Sequence, residues 1–456
     1  MLSHSFRQTH PRKPAWLAAG VLAILFVAAT ALAQDPAEPP GGPPHPKLLP
    51  SPAGAITLSD VSQSALRATI EGLVSCGTRH SLSSWTNPKR GIGCGRDHIV
   101  AEFNKIAQES GGRLKVVVDR FEAKAPTTGN KMVPLENVYA ILPGSDPVLA
   151  KTVFVVSGHF DSRATNIMDS TSDAPGADDD GSGTAVSIEC ARLLAGGHYR
   201  ATLVFATVSG EEQGLLGGKR LLEYLEQQGY TVGGMLDDDV VGADFAPGAP
   251  HRARLFSGGG RVDDCDSPSR ELARLVEEID GRANIRLIFR IDRLGRGGDH
   301  MPFVHAGLPA VRFTEPLENY HHEHQTPRIV DGVQYGDLMK FLNFDFMARV
   351  ARDNAEVLRE LAMAPAPPRD VWLSGEVTPS AKVSWSAPDD PQRVGFELLW
   401  RETTNPRWSV FAFAKTPEKF VFKGVSTDNY FFAVRSVGKN GARSIAVLAV
   451  LRPRRR

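Results

Sequence analysis

Cysteine is scarce: four residues in 456, at positions 76, 94, 190 and 265, and no two of them form a C-x-x-C pair. That excludes a disulfide-dense scaffold, a zinc ribbon and a C-x-x-C redox centre, so any bound metal must be held by histidine and carboxylate. Net charge is missing too. Lys plus Arg (52) cancels Asp plus Glu (52), which leaves no electrostatic footprint for a nucleic acid or a charged membrane surface as partner. H-E-x-x-H is absent, because the residue four after His322, the histidine of the one His-Glu pair, is Thr326. The stretch Asp180-Gly181-Ser182-Gly183-Thr184 is out of register with the G-x-S-x-G elbow of serine hydrolases.

What is present is ordinary globular composition, 42% hydrophobic and 23% charged, in a chain long enough for about three units of ~150 residues, or two if one is a large α/β domain. Arg7, Arg12 and Lys13 precede an apolar run over 15–32 that ends in Ala31-Leu32-Ala33, which predicts a signal peptide over 1–33 and an exported chain, periplasmic or extracellular, with no membrane span after cleavage. An exported chain is free to hold disulfides. Cys76 and Cys94 flank a polar loop and are the candidate pair, whereas Cys190 lies in a predicted buried helix. Eight prolines between 34 and 54 predict an extended linker. A second Pro-rich break at 364–368 follows a predicted helical stretch over 333–363, so the main domain is expected over 55–363 and a smaller one over 369–453.

Within 55–363, strand-like runs at 152–157, 202–208 and 310–314 alternate with helical runs at 184–195 and 215–225. This predicts an α/β domain with a mostly parallel, mixed sheet covered by helices on both faces. In such sheets ligands bind beyond the carboxyl ends of the strands. Several polar segments fall there. Ser157-Gly158-His159-Phe160-Asp161-Ser162 offers a histidine and a carboxylate that can hold its second ring nitrogen. Gly176-Ala177-Asp178-Asp179-Asp180-Gly181 crowds three carboxylates ahead of a helix, where a cation would relieve their repulsion. Ser209-Gly210-Glu211-Glu212-Gln213-Gly214 supplies two adjacent glutamates that can divide the work of metal ligand and proton acceptor. Leu236-Asp237-Asp238-Asp239-Val240-Val241-Gly242 and Tyr320-His321-His322-Glu323-His324-Gln325-Thr326 complete the set.

Together these segments suit two Zn²⁺. Asp179, Glu212 and Asp239 leave one of the ions' four positive charges uncompensated, with His159 and His321 neutral, and a single shared hydroxide would balance it. Ions ~3.5–4 Å apart can lower the pKa of water towards ~7 and stabilise a tetrahedral oxyanion.

These segments, in this order, resemble the co-catalytic zinc peptidase family that includes the secreted bacterial leucyl aminopeptidases, with glutamate carboxypeptidases and glutaminyl cyclases as relatives. The resemblance starts at Asn137-Val138-Tyr139-Ala140-Ile141-Leu142-Pro143-Gly144 and extends to the loop at His321. It implies His159 and His321 as terminal zinc ligands, Asp179 as the bridge, Glu212 and Asp239 as terminal carboxylates, Glu211 as general base and acid, and Asp161 as the residue that orients His159. It also implies a cis Asp179-Asp180 peptide. Asp239 is favoured over Asp237 and Asp238 by its distance to Gly242. His321 is favoured by Tyr320 before it and Thr326 after it, leaving His322 and His324 as loop residues. The implied activity is hydrolysis of terminal residues from a peptide substrate, as an aminopeptidase, with a carboxypeptidase or a mono-zinc glutaminyl cyclase as the alternatives.

Two further segments have structural readings. Gly298-Asp299-His300-Met301-Pro302-Phe303 resembles a family segment near the substrate pocket and reads equally as a structural Asp-His hydrogen bond. In Asp263-Asp264-Cys265-Asp266-Ser267-Pro268, Ser267 is expected to cap a helix with Pro268 at its first position. Over 369–453, short alternating strands with Trp385, Trp400 and a late Tyr430-Phe431-Phe432-Ala433-Val434 run resemble a fibronectin type III sandwich, which implies core aromatics and a module able to bind a surface or polymer. A short basic tail, Arg454-Arg455-Arg456, ends the chain.

Overall fold

The computed structural model describes residues 55–245, 247–258, 266–375, 377–417 and 419–452. The predicted signal peptide, the Pro-rich 34–54 linker, Asp263-Asp264-Cys265 and the basic tail lie outside the described residues.

Helices α1 (Gln63–Val74) and α2 (Ile92–Glu109) lead into β1 (Lys115–Ala123), β2 (Val133–Leu142) and β3 (Thr152–His159). Then come α3 (Gly181–Leu194), β4 (Thr202–Val208), α4 (Leu216–Gln227), β5 (Thr231–Asp238), β6 (Ala253–Phe256), α5 (Pro268–Ile279), β7 (Ile285–Ile288), α6 (Met301–His305) and β8 (Ala310–Thr314). A hairpin of β9 (Arg328–Val330) and β10 (Val333–Tyr335) precedes α7 (Phe344–Met363). Eight of these strands form one mixed sheet in the order β1-β2-β4-β3-β5-β8-β6-β7. Its central β4, β3, β5 and β8 run parallel. The antiparallel pairings β1–β2, β2–β4 and β6–β8 lie to either side.

Period-2 alternation assigns the two faces. Phe154 and Val156 pack with Leu66, Phe103, Val186 and Leu358 of the helices on one side. Val153 and Val155 pack with Leu221, Leu225 and Phe303 on the other. Two glycines allow α3 to lie tight on the sheet. A Cβ on Gly158 would come within 2.3 Å of Gly183 backbone, and one on Gly183 within 1.9 Å of the Asp238 carbonyl. Asp180 caps α3 by accepting the Gly183 N–H at 2.9 Å, an arrangement worth ~1 kcal/mol. Ser267 caps α5, with Pro268 as its first residue.

The helix predicted over 333–363 is shorter than expected. Residues 333–335 pair in the β9–β10 hairpin, Gly336 takes a φ of 109°, and α7 starts only after Asn343, whose Oδ1 accepts the Asp345 and Phe346 N–H groups. Cys76 and Cys94 are joined in a disulfide with Cα atoms 5.8 Å apart, and Cys190 is a free, buried thiol. Among the described residues no helix is long and apolar enough to cross a membrane.

The carboxyl-terminal unit comprises β11 (Arg369–Ser374), β12 (Ala381–Ser386), β13 (Arg393–Glu402), β14 (Ser409–Ala414), β15 (Lys419–Phe422), β16 (Tyr430–Gly438), β17 (Val447–Leu448) and β18 (Val450–Leu451). They form two four-stranded sheets, β15-β12-β11-β18 and β14-β13-β16-β17. Trp385, Phe396, Trp400, Tyr430 and Phe432 fill the space between them. Charged contacts dock this unit on α5. Arg435 reaches Glu278 at 2.7 Å, and Arg407 reaches Glu277 at 2.7 Å.

Candidate metal centre

The ends of β3, β4 and β5 and the start of α3 converge on one buried cluster. His159 is the last residue of β3; its Nε2 lies 3.1 Å from Asp179 Oδ1 and 3.9 Å from Asp239 Oδ1. The other oxygen of Asp179, Oδ2, lies 2.9 Å from His324 Nε2, and Glu212 Oε1 lies 3.3 Å from that same nitrogen. Asp179 therefore faces a histidine with each of its oxygens. Two groups of potential ligands result, His159–Asp179–Asp239 and Asp179–Glu212–His324, sharing Asp179.

The backbone around these ligands is heavily tied. Asp180 Oδ2 accepts the His159 N–H at 2.9 Å, and its Oδ1 accepts the Val240 N–H at 3.3 Å. The Asp179-Asp180 peptide is cis. Asp337 accepts the N–H groups of Asp178 and Asp179 at 2.9 and 2.8 Å. Asp161 Oδ1 lies 3.5 Å from His159 Nδ1, and the Asp161 carbonyl 3.2 Å from it, so Nδ1 carries the proton and Nε2 is left to ligate. Arg79, fully buried, donates to the carbonyls of Phe160, Pro175 and Gly176 at 2.6, 2.5 and 2.8 Å, joining the His159 segment to the Asp179 turn. Burial pulls its guanidinium down to about 10 despite the surrounding acids.

The final histidine differs from the sequence expectation. His324, not His321, enters the cluster. It sits in the left-handed region (φ 56°), which turns its ring inward, while the exposed His321 packs on Tyr335 with centroids 4.8 Å apart. His322 stacks on Phe341 at 3.6 Å. Three histidines within four positions share one local composition, and only the loop's path distinguishes them. The three neighbouring aspartates part ways: Asp237 accepts from Ser157 and contacts His300, Asp238 accepts from Asn354, and Asp239 enters the cluster. His300 makes a structural contact, its Nδ1 3.2 Å from Asp237 Oδ2 and its Nε2 2.8 Å from the Ile291 carbonyl.

Arg79, Asp337 and Arg312 were not singled out by sequence. Arg312 carried a signal, as the one charge inside the fully buried strand β8; such a charge must be paired. Its Nη2 reaches Asp239 Oδ1 at 2.7 Å.

Electrostatics describe the same excess of negative charge. Burial works to lower the His324 imidazolium, but Glu212 and Asp179 hold it up at about 11. His159 is likewise raised, its burial outweighed by Asp161 and Asp179. Burial pushes Asp239 up to about 7 against the pull of Arg312, and lifts Glu211 well above the carboxylate range. Glu212 Oε1 is buried and meets only the His324 ring, at 3.3 Å. Two imidazole nitrogens and three carboxylates in one place form a donor set that suits zinc.

Over the cluster opens a cleft of about 250 Å³, lined by Thr127, Glu211, Arg293 and Arg296 together with Asp179, Glu212, Asp239 and His324. A larger, apolar cavity of about 560 Å³ lies at the opposite ends of the strands, between the two units. The smaller cleft is the one with chemistry.

Fold and site together define a zinc metallopeptidase. The sequence profile of peptidase family M28 matches residues 137–342. A probable zinc metalloprotease of Leptosphaeria maculans is 40% identical over 416 residues, covering 86% of this chain and 95% of that protein. One from Pyrenophora tritici-repentis is 38% identical over 421 residues, covering 86% and 96%. The chain belongs to peptidase family M28. Its fold is shared with the Legionella pneumophila LapA aminopeptidase (TM-score 0.50, 19% identity, 67% of this chain and 73% of that one) and with LapB from the same organism (0.51, 18%, 70% and 78%).

Proposed function

We propose that this protein is an exported di-zinc exopeptidase that removes amino-terminal residues from peptides, with His159, Asp179 and Asp239 holding one ion, and Asp179, Glu212 and His324 the other. The observation that carries this reading is Asp179, whose two oxygens face His159 at 3.1 Å and His324 at 2.9 Å, as a bridging carboxylate must. Bound zinc would polarise the scissile carbonyl and acidify water.

The chain's own residues do the rest. Glu211, with Oε2 4.0 Å from His159 Nε2, stands where it can take a proton from the attacking water and pass it to the leaving amine nitrogen as the C–N bond breaks. Asp161 fixes the backbone of Glu211 and the ring of His159. Arg293 and Arg296 wall the cleft. The apolar run after Arg7, Arg12 and Lys13 supports export, as does the Cys76–Cys94 disulfide. The two-sheet carboxyl-terminal unit is read as a fibronectin type III-like module that tethers the enzyme to a surface or polymer.

A panel of peptides with free and blocked ends, assayed with and without chelator, tests the activity. Chelator-sensitive cleavage restricted to free amino termini is expected. Cleavage restricted to free carboxyl termini, or cyclisation of amino-terminal glutamine without hydrolysis, would overturn the aminopeptidase reading.

A further inference from the structure

We propose that Arg312 makes the two zinc positions unequal: it competes for the Asp239 oxygen and leaves the His159–Asp179–Asp239 position the weaker of the two. The inference rests on the two-ion reading above and concerns how the ions load.

Arg312 lies in β8, paired in register with Asp237 of β5, the strand that leads to Asp239. Its side chain is fully buried. Nη2 sits 2.7 Å from Asp239 Oδ1, the same oxygen that faces His159 Nε2 at 3.9 Å. Nη1 lies 3.0 Å from Asp292 Oδ2 and donates to the Gly297 carbonyl at 2.6 Å. Nε has no hydrogen-bond partner. A guanidinium cannot shed its proton, so once buried it must be neutralised by its neighbours. Asp292 is shared with Arg293, whose Nε lies 3.1 Å from its Oδ1, and the shortest carboxylate contact of Arg312 is the one to Asp239. Asp239 therefore shares its charge between Arg312 and any ion it binds.

Glu212, the terminal carboxylate of the other group, has a different neighbour. Arg163 Nη1 stands 3.8 Å from Glu212 Oε2, beyond hydrogen-bond range, and its side chain is 19% exposed. That contact is longer and its cation is partly exposed, whereas Arg312 is fully buried against Asp239 at 2.7 Å. One carboxylate thus reaches its ion at nearly full charge and the other at reduced charge, beside a fixed cation. Groups that contact metal ligands commonly alter affinity by 10–100-fold, so a separation of about tenfold or more is expected.

The test is a zinc titration of the purified full-length protein by calorimetry against a competing chelator. Two equivalents with dissociation constants at least about tenfold apart are expected. His159→Ala should retain the tight equivalent and His324→Ala the weak one. Arg312→Met combined with Asp292→Asn removes one buried charge of each sign and should narrow the gap. The two histidine variants decide the assignment whether or not that double variant folds. Two equal equivalents, the reverse assignment, or a gap unchanged or widened in the folded double variant would overturn the proposal and leave the two-ion reading standing. A single equivalent in the unsubstituted protein would overturn both.

Discussion

Asp161 accepts the backbone N–H of Glu211 on Oδ1 at 3.2 Å, and its other oxygen accepts the Glu212 N–H at 3.2 Å and the Ser81 hydroxyl at 2.9 Å. One buried carboxylate thus fixes the chain at the proposed base and at a proposed ligand while facing the His159 ring. Asp161→Ala leaves two buried N–H groups and a hydroxyl without an acceptor and frees the imidazole to rotate. Zinc affinity should fall by roughly 10–100-fold, with kcat/KM falling alongside. Asp161→Asn should do little better, because its amide NH₂ would meet one of the donors. Chelator-competition titration and steady-state kinetics check this; wild-type values in both variants would leave Asp161 no positioning role.

Among the described residues, the one charged side chain paired with Glu211 is His159, at 4.0 Å. Glu211→Gln preserves shape and removes the proton acceptor. Its zinc content should match wild type, and kcat should drop by roughly 10²–10⁴-fold. Metal analysis beside single-turnover kinetics separates the two effects. Hydrolysis at the wild-type rate would assign the proton transfer to another group.

His321 and His324 provide a paired comparison on one loop. His324→Ala removes the ring that lies 2.9 Å from Asp179 and 3.3 Å from Glu212, so one zinc equivalent should be lost or strongly weakened. His321→Ala removes only a ring packed on Tyr335 and should keep full metal content, with stability within about 0.5 kcal/mol of wild type. Metal loss in His321→Ala with full retention in His324→Ala would restore the assignment that the Tyr320 and Thr326 flanks favour in the sequence.

What could be read from the chain alone follows from where local chemistry decides structure. Val153 and Val155 alternate with Phe154 and Val156, and that period, together with Asp180 ahead of the Gly181–Gly183 turn, is enough to place β3 and α3. His159, Asp179, Glu212 and Asp239 stand directly after strands or before a helix, so the strand ends bring them together. His324 lies ten residues beyond the end of β8, in a loop whose path depends on Thr165 and Thr326 exchanging hydrogen bonds at 3.2 and 3.0 Å. Arg79 and Asp337 serve the site by binding its backbone, and no spacing rule marks a residue that acts on carbonyls and N–H groups 81 to 159 positions away.

Glu271 of α5 joins the two units: Oε2 accepts the Trp408 indole N–H at 2.6 Å, and Oε1 lies 2.7 Å from Arg274 Nη1. Burial, against the pull of Arg274, pushes its carboxyl up to about 7. An unfolded chain would lose that proton near pH ~4.5, so between there and pH 7 the folded protein holds the extra proton. Glu271's contribution to stability is therefore greatest below the unfolded value, declines as pH rises through this window, and is flat above it, a swing on the order of 3 kcal/mol. Glu271→Gln keeps an acceptor for Trp408 and cannot titrate. The midpoint of wild type relative to this variant, followed by calorimetry at fixed zinc, should fall between pH 5 and pH 7.5. A constant or rising difference would mean that Glu271 stays ionised throughout, held by Arg274.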